Sequence, residues 1–179
     1  MHPSALSPDG DDDFEKFYRS SFPRLARTLT ALTTDTRFID DVVQDSFLLA
    51  RRKWPEIRFY DVPEAWVAKV AMRLMRRRQR KESARSAGMV SDLAGLAAPG
   101  RICDLVAQHH DLYAAIRLLP DRQREIIVLY YLLDYPVRDI ADILDIADGT
   151  VKAHLSHGRH RLGQLLSRES RPEIEGGTP

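Results

Sequence analysis

Sulfur chemistry is almost absent from this chain: apart from methionine there is one cysteine, Cys103. A lone thiol closes no internal disulfide and furnishes no cysteine-rich zinc site, so the fold must rest on a hydrophobic core. Cys103 reads as an ordinary thiol, with redox sensing as the other option. Long apolar runs are missing as well; none approaches the roughly 20 residues that span a bilayer. The stretch from Met1 to Asp13 is acidic and lacks the charged-then-apolar order of a signal peptide, so a cytoplasmic protein is expected. Excess charge of one sign is missing too, with 27 basic and 26 acidic residues for a net of +1. Also absent are strand-like alternation, an internal repeat, a Walker phosphate loop, a His-Glu-x-x-His pair and a nucleophile elbow. No enzyme is indicated, and no cofactor.

What is present is helix-forming sequence. Hydrophobic residues make up 44% and charged residues 30%, which suits a globular chain. Proline and glycine thin out over two blocks. The chain therefore divides into an acidic disordered N-terminus over 1–12, a helical domain over 13–85 and a flexible linker over 86–108. A second helical domain follows over 109–167, and a disordered tail over 168–179. The fold class is all-α, two small helical domains. In the first, Phe14, Phe17, Tyr18, Phe22, Leu25 and Leu29 recur at helical spacing. Val42, Val43, Phe47 and Leu48 mark a second helix, with Asp35 or Thr36 as its cap. A loop is expected over Trp54 to Val62, between Pro55 and Pro63.

Charge is unevenly placed. Acid clusters at Asp9, Asp11, Asp12, Asp13 and Glu15; base clusters at Arg73, Arg76, Arg77, Arg78, Arg80, Lys81 and Arg85. On a helix from Pro63, Val67, Val70, Ala71, Leu74 and Met75 gather on one side and Lys69, Arg73, Arg76, Arg77 and Arg80 on the other. Like charges on one face repel, and a polyanion would relieve the repulsion. A solvated face and a membrane surface are the competing readings; lipid-facing aromatics are not evident on this helix. Trp66 falls between the two faces, as a core residue or, beside Phe59 and Tyr60, as a base-stacking platform.

The second block carries a sharper pattern. Pro136 opens a short helix with Ile140, Ala141, Ile143 and Leu144 as its apolar side. Asp145 occupies a turn that needs a left-handed residue, Ile146 tucks inward, and Asp148 caps the next helix. There Val151, Leu155, Gly158 and Leu162 form a stripe, extended by Leu165 and Leu166. Ala153, Ser156, His157 and His160 face away, flanked by Lys152, Arg159 and Arg161. That is a helix-turn-helix: small polar groups for base edges and marginal cations for phosphates. A generic α-hairpin is the plainer alternative. His154, His157 and His160 share an arc, but no carboxylate or thiol completes a metal site in this stretch, so histidines facing DNA are preferred.

Residues 119–162 resemble region four of extracytoplasmic-function sigma factors of the sigma-70 superfamily. The landmarks are Leu119-Pro120, Arg124-Glu125, Leu129, Ile140-Ala141, Leu144 and Gly149-Thr150-Val151-Lys152. The first block resembles region two, through Asp40-Asp41-Val42-Val43-Gln44-Asp45-Ser46-Phe47 and Trp66-Val67-Ala68-Lys69-Val70-Ala71. The resemblance implies a promoter-specificity factor for RNA polymerase, in a stress or envelope response. Asp40, Asp41, Gln44 and Asp45 would bind the core enzyme. Phe59, Tyr60, Asp61, Trp66, Lys69, Arg73, Arg76, Arg77 and Arg80 would meet the minus-ten element. Thr150, Lys152, Ala153, His154, Ser156, His157, Arg159 and Arg161 would meet the minus-thirty-five element. The implied partners are core RNA polymerase, promoter DNA and an anti-sigma factor, with no membrane insertion and a monomer when free. Arg73, Arg77, Asp145, Ala147, His154 and His157 depart from the residues usual in the family, so the promoter bases are not inferred. A stand-alone helix-turn-helix regulator and a helical adaptor for an acidic protein are the rival readings.

Overall fold

The computed structural model describes residues 8–33, 37–86 and 110–169. The proposed caps Asp35 and Thr36, Cys103 and nearly all of the linker lie outside the described residues. Helices account for the architecture, and no strand occurs among the described residues. The order is α1 (Pro8–Leu32), α2 (Ile39–Ile57), α3 (Pro63–Ser86), α4 (His110–Arg117), α5 (Asp121–Tyr131), α6 (Val137–Leu144) and α7 (Asp148–Glu169).

The first unit is built on aromatic packing. Phe14, Phe17, Tyr18 and Phe22 of α1 recur every three or four residues and meet Phe47 and Trp54 of α2. The Trp54 indole sits 5.3 Å from the Phe14 ring and 4.8 Å from Phe17. This corrects the expected loop from Trp54: burying the indole draws that stretch into α2, which runs on through Pro55 to Ile57. The loop is shorter, from Arg58 to Val62, and Pro63 opens α3 where its missing N–H is harmless. Helix α1 begins at Pro8, ahead of the expected start at Asp13. At the head of α2 the cap position is Phe38, without a side-chain cap bond.

In the second unit α4 to α7 wrap around Ile126, Ile127, Val128 and Leu129, all fully buried. Asp145 ends α6 in the left-handed conformation, φ 57° and ψ 55°, as expected for that turn. The Ile146 N–H then donates back to the Ala141 carbonyl at 3.0 Å. Asp148 is not the cap. It is the first residue of α7, where its charge meets the positive helix end. The Ala147 carbonyl takes the Thr150 and Val151 N–H groups. Asp134, also left-handed at φ 55°, makes a second such turn between α5 and α6.

The two units are docked. Helix α1 packs on α4 and α5, and α3 packs on α6. Their buried residues form one continuous apolar cluster. Two arginines of the second unit end the first helix of the first: Arg117 donates to the Thr30 carbonyl at 3.1 Å and Arg124 to the Leu32 carbonyl at 2.8 Å. A helix C-terminus leaves its last carbonyls unpaired and carries partial negative charge, so two guanidiniums satisfy both needs. Arg24 adds a bond to the Asp134 carboxylate at 2.7 Å.

Candidate polymerase and nucleic-acid interfaces

On α2, burial of Val42, Val43, Ser46 and Phe47 turns Asp40, Asp41, Gln44 and Asp45 outward, and all four are exposed. The apolar Leu48 and Leu49 continue this face into solvent, at 52% and 38% exposure. An exposed acidic strip edged with leucine suits a protein partner better than a polyanion. Arg78 of α3 reaches Asp41 at 3.2 Å and Asp45 at 3.4 Å. These pairs are solvent-facing, so a partner displaces them at a cost of at most about 1 kcal/mol each.

The loop from Arg58 to Val62 is held by its backbone. The N–H of Phe59 donates to the Glu56 carbonyl, and that of Tyr60 to Ile57. Arg58 pairs with Asp13 at 2.9 Å and covers the Phe59 ring at 5.3 Å. Phe59 stands 79% exposed and Tyr60 49%. An apolar ring kept in water by a held loop is a ready stacking platform. Asp61 is exposed beside them, while Trp66 and Lys69 are half-buried along the groove behind.

Helix α3 divides differently from its expected wheel. Val67, Ala68, Ala71, Met72 and Met75 are buried, whereas Val70 and Leu74 are only half-buried. The wheel assumed one packing partner, but α2 and α6 both lean on α3. The cations separate as well. Arg73, Arg77 and Arg80 are exposed. Arg76 is instead bound by both oxygens of Glu125 in α5, at 2.8 and 3.1 Å.

On α7 the expected division holds. Val151, Leu155 and Gly158 are buried, and Thr150, Lys152, Ala153, Ser156, His157, Arg159 and Arg161 are exposed. His154 is half-buried with its Nδ1 enclosed, which sets it at the margin of the outward face. Arg159 lies over the rings of Tyr130 and Tyr131 at 5.2 and 5.6 Å. Sequence reasoning missed this aromatic seat, although Tyr130-Tyr131 stood adjacent in the sequence. It also missed Gln164, paired with His160 at 3.0 Å. Glu125 stood in the sequence only as part of a landmark pair; its bond to Arg76 joins residues 49 apart, so no local pattern marks it.

An all-helical pair of units, one ending in an exposed helix-turn-helix and the other carrying an exposed aromatic loop, is an arrangement suited to binding DNA. The family model described as sigma-70, region 4, matches residues 109–162. Over 156 residues the chain is 27% identical to the ECF RNA polymerase sigma factor SigM of Mycobacterium tuberculosis, covering 86% of this chain and 76% of the relative. It is 25% identical over 161 residues to the ECF RNA polymerase sigma factor SigM of Bacillus subtilis, covering 86% and 95%. Among solved structures, the sigma factor RpoE of Bartonella quintana, in complex with the anti-sigma factor NepR, superposes with a TM-score of 0.73 at 25% identity. That match covers 89% of this chain and 99% of the other. Residues 109–162 thus match sigma-70 region 4, and over most of its length the chain is similar to extracytoplasmic-function sigma factors.

Proposed function

We propose that the chain brings core RNA polymerase to promoters through three separate surfaces. The observation that carries this is their segregation on one chain: an acidic strip on α2, an aromatic loop with cations on α3, and a polar recognition face on α7. Asp40, Asp41, Gln44 and Asp45 dock on the polymerase. Phe59, Tyr60 and Asp61 take an unpaired minus-ten base, with Trp66 and Lys69 behind and Arg73, Arg77 and Arg80 on the phosphates. Helix α7 enters the major groove of the minus-thirty-five element. Ser156 and His157 reach base edges there, while Lys152, Arg159 and Arg161 hold the backbone. The Tyr130–Tyr131 pair orients Arg159 before DNA arrives.

No chemistry is required of the chain itself. The polymerase carries out phosphoryl transfer, and this protein supplies binding energy that offsets base unstacking, a few kcal/mol per base. It is not an enzyme, works in the cytoplasm as a monomer until polymerase binds, and is restrained by an anti-sigma factor in a stress or envelope response. No helix among the described residues is long and apolar enough to cross a membrane. A stand-alone regulator would bind duplex promoter DNA tightly without polymerase.

The test is run-off transcription with purified core polymerase on genomic fragments, alongside co-purification of the two. The native chain should yield discrete transcripts. Asp41→Lys with Asp45→Lys should lose core polymerase while keeping its helical content. Arg78→Ala, which frees the same carboxylates, should not lose it. Unaltered co-purification of the double variant removes α2 from the polymerase surface.

A further inference from the structure

A cavity of about 140 Å³ lies where the two units meet. Helices α1, α2 and α3 give Leu25, Phe47 and Val67 to its wall, and the turn between α5 and α6 gives Leu133. Ser21, Glu64 and Tyr135 line it as well. Ser21 is 9% exposed and Tyr135 7%. Neither hydroxyl has a hydrogen bond to another described residue, whereas the neighbouring Ser20 hydroxyl donates to the Phe17 carbonyl at 3.0 Å. Glu64 is half-buried and has no cation partner among the described residues. The cation at the cavity, Arg24, is already committed to the Asp134 carboxylate at 2.7 Å and the Leu132 carbonyl at 3.4 Å. Burial, aided by the Glu64 charge, raises the Tyr135 pKa, so its hydroxyl stays neutral. Shielded hydroxyls and a shielded carboxylate cost free energy unless something in the cavity bonds them.

These three groups share one demand. A carboxylate only accepts, and both hydroxyl oxygens can accept too. The uncommitted charge is negative, which disfavours an anion and leaves a neutral occupant with an unmatched carboxylate. A primary ammonium has three donors and no acceptor, equal in number to Ser21, Glu64 and Tyr135. Size sets the rest: an apolar cavity of about 150 Å³ holds one benzene ring.

We propose that this cavity is a binding site for a small primary ammonium ion carrying one apolar ring or a short branched chain. The charged head bonds Glu64, Ser21 and Tyr135, and the body lies against Leu25, Phe47, Val67 and Leu133. None of these residues belongs to the three surfaces assigned to polymerase and promoter, so the site stands apart from that reading. Its walls come from both units, so an occupant stabilises the pair by an amount that grows with the logarithm of its concentration.

The test titrates the full chain at neutral pH with benzylamine, which is then charged, and with benzyl alcohol, similar in size and uncharged. Binding is followed by NMR at the methyl groups of Leu25, Val67 and Leu133. Benzylamine should shift these methyls and saturate. Benzyl alcohol should bind roughly tenfold more weakly, the loss of one charge-assisted contact. Glu64→Gln should erase that preference while the rest of the spectrum keeps its folded pattern. Should Glu64→Gln fail to fold, the preference of the native chain between the two probes still decides. Shifts that do not saturate, or that avoid these three methyls, mean a cavity filled by water or an adventitious additive only, and they overturn the site. Equal affinities for the two probes in the native chain overturn recognition of an ammonium by Glu64, and the proposal falls with it.

Discussion

Gly158 shows how much one missing methyl decides. It lies in the buried stripe of α7, and a Cβ built there would stand 2.8 Å from Cγ1 of Ile127. Ile127 is itself 1% exposed in the middle of α5, so it has little room to yield. Glycine in a helix costs about 0.5–1 kcal/mol relative to alanine. Overpacking a filled core costs about 1–3 kcal/mol. The second effect should win: Gly158→Ala should lose about 1–2 kcal/mol in urea denaturation, and a gain would show that Ile127 gives way. The stripe containing Gly158 was legible in the sequence, but the reason for glycine was not, because the clash is with a residue of another helix. Asp145 was legible in full, since a left-handed turn is local backbone chemistry. Asp134 adopts the same conformation and escaped notice, having no helix-turn-helix pattern around it to mark the turn.

At the scale of elements, α3 was read as one apolar side and one cationic side. That reading identified the outward Arg73, Arg77 and Arg80 correctly. It could not foresee that Arg76 points into a neighbour, because the wheel contains no second unit. A salt experiment separates the two groups. Arg73→Ala with Arg80→Ala should flatten the log–log salt dependence of single-strand binding by about 1.4, roughly 0.7 for each lost phosphate contact. An unchanged slope would place both cations off the DNA path. Helix α7 was read almost completely, because its core stripe and its outward face are both set by one period of 3.6 residues. His154 is the exception, half-buried at the edge where the period is least decisive.

At the scale of the molecule, the seam between units is expected to weaken in alkali. Tyr135, 7% exposed, lines a cavity of about 140 Å³ with Ser20, Arg24, Phe47 and Glu64 of the first unit. Burial raises the pKa of its hydroxyl above the usual tyrosine value; the nearby charges of Glu64 and Asp139 act in the same direction, and Arg24 opposes them. A raised folded-state pKa means the folded protein holds the proton more tightly than the unfolded chain. Its contribution is fully present below about pH 10 and is lost as pH rises from there toward the folded-state value. Denaturation of Tyr135→Phe should therefore show a shallower loss of stability above about pH 10 than the native chain. Equal slopes would show that the hydroxyl ionises without penalty.

The sequence by itself determined most of the helices, the apolar face of α6 and the outward face of α7. Each of these depends on residues a few positions apart, where periodicity, turn chemistry and charge clustering act directly. Only the tertiary structure decided that the two units dock through one continuous core, that Trp54 is drawn into α2, and that Glu125 claims Arg76. Those outcomes join groups up to 49 residues apart in the bond between Arg76 and Glu125, and farther in the caps on α1. No local pattern encodes which buried surface a helix will find, because that choice is settled by the shape and charge of the partner it meets.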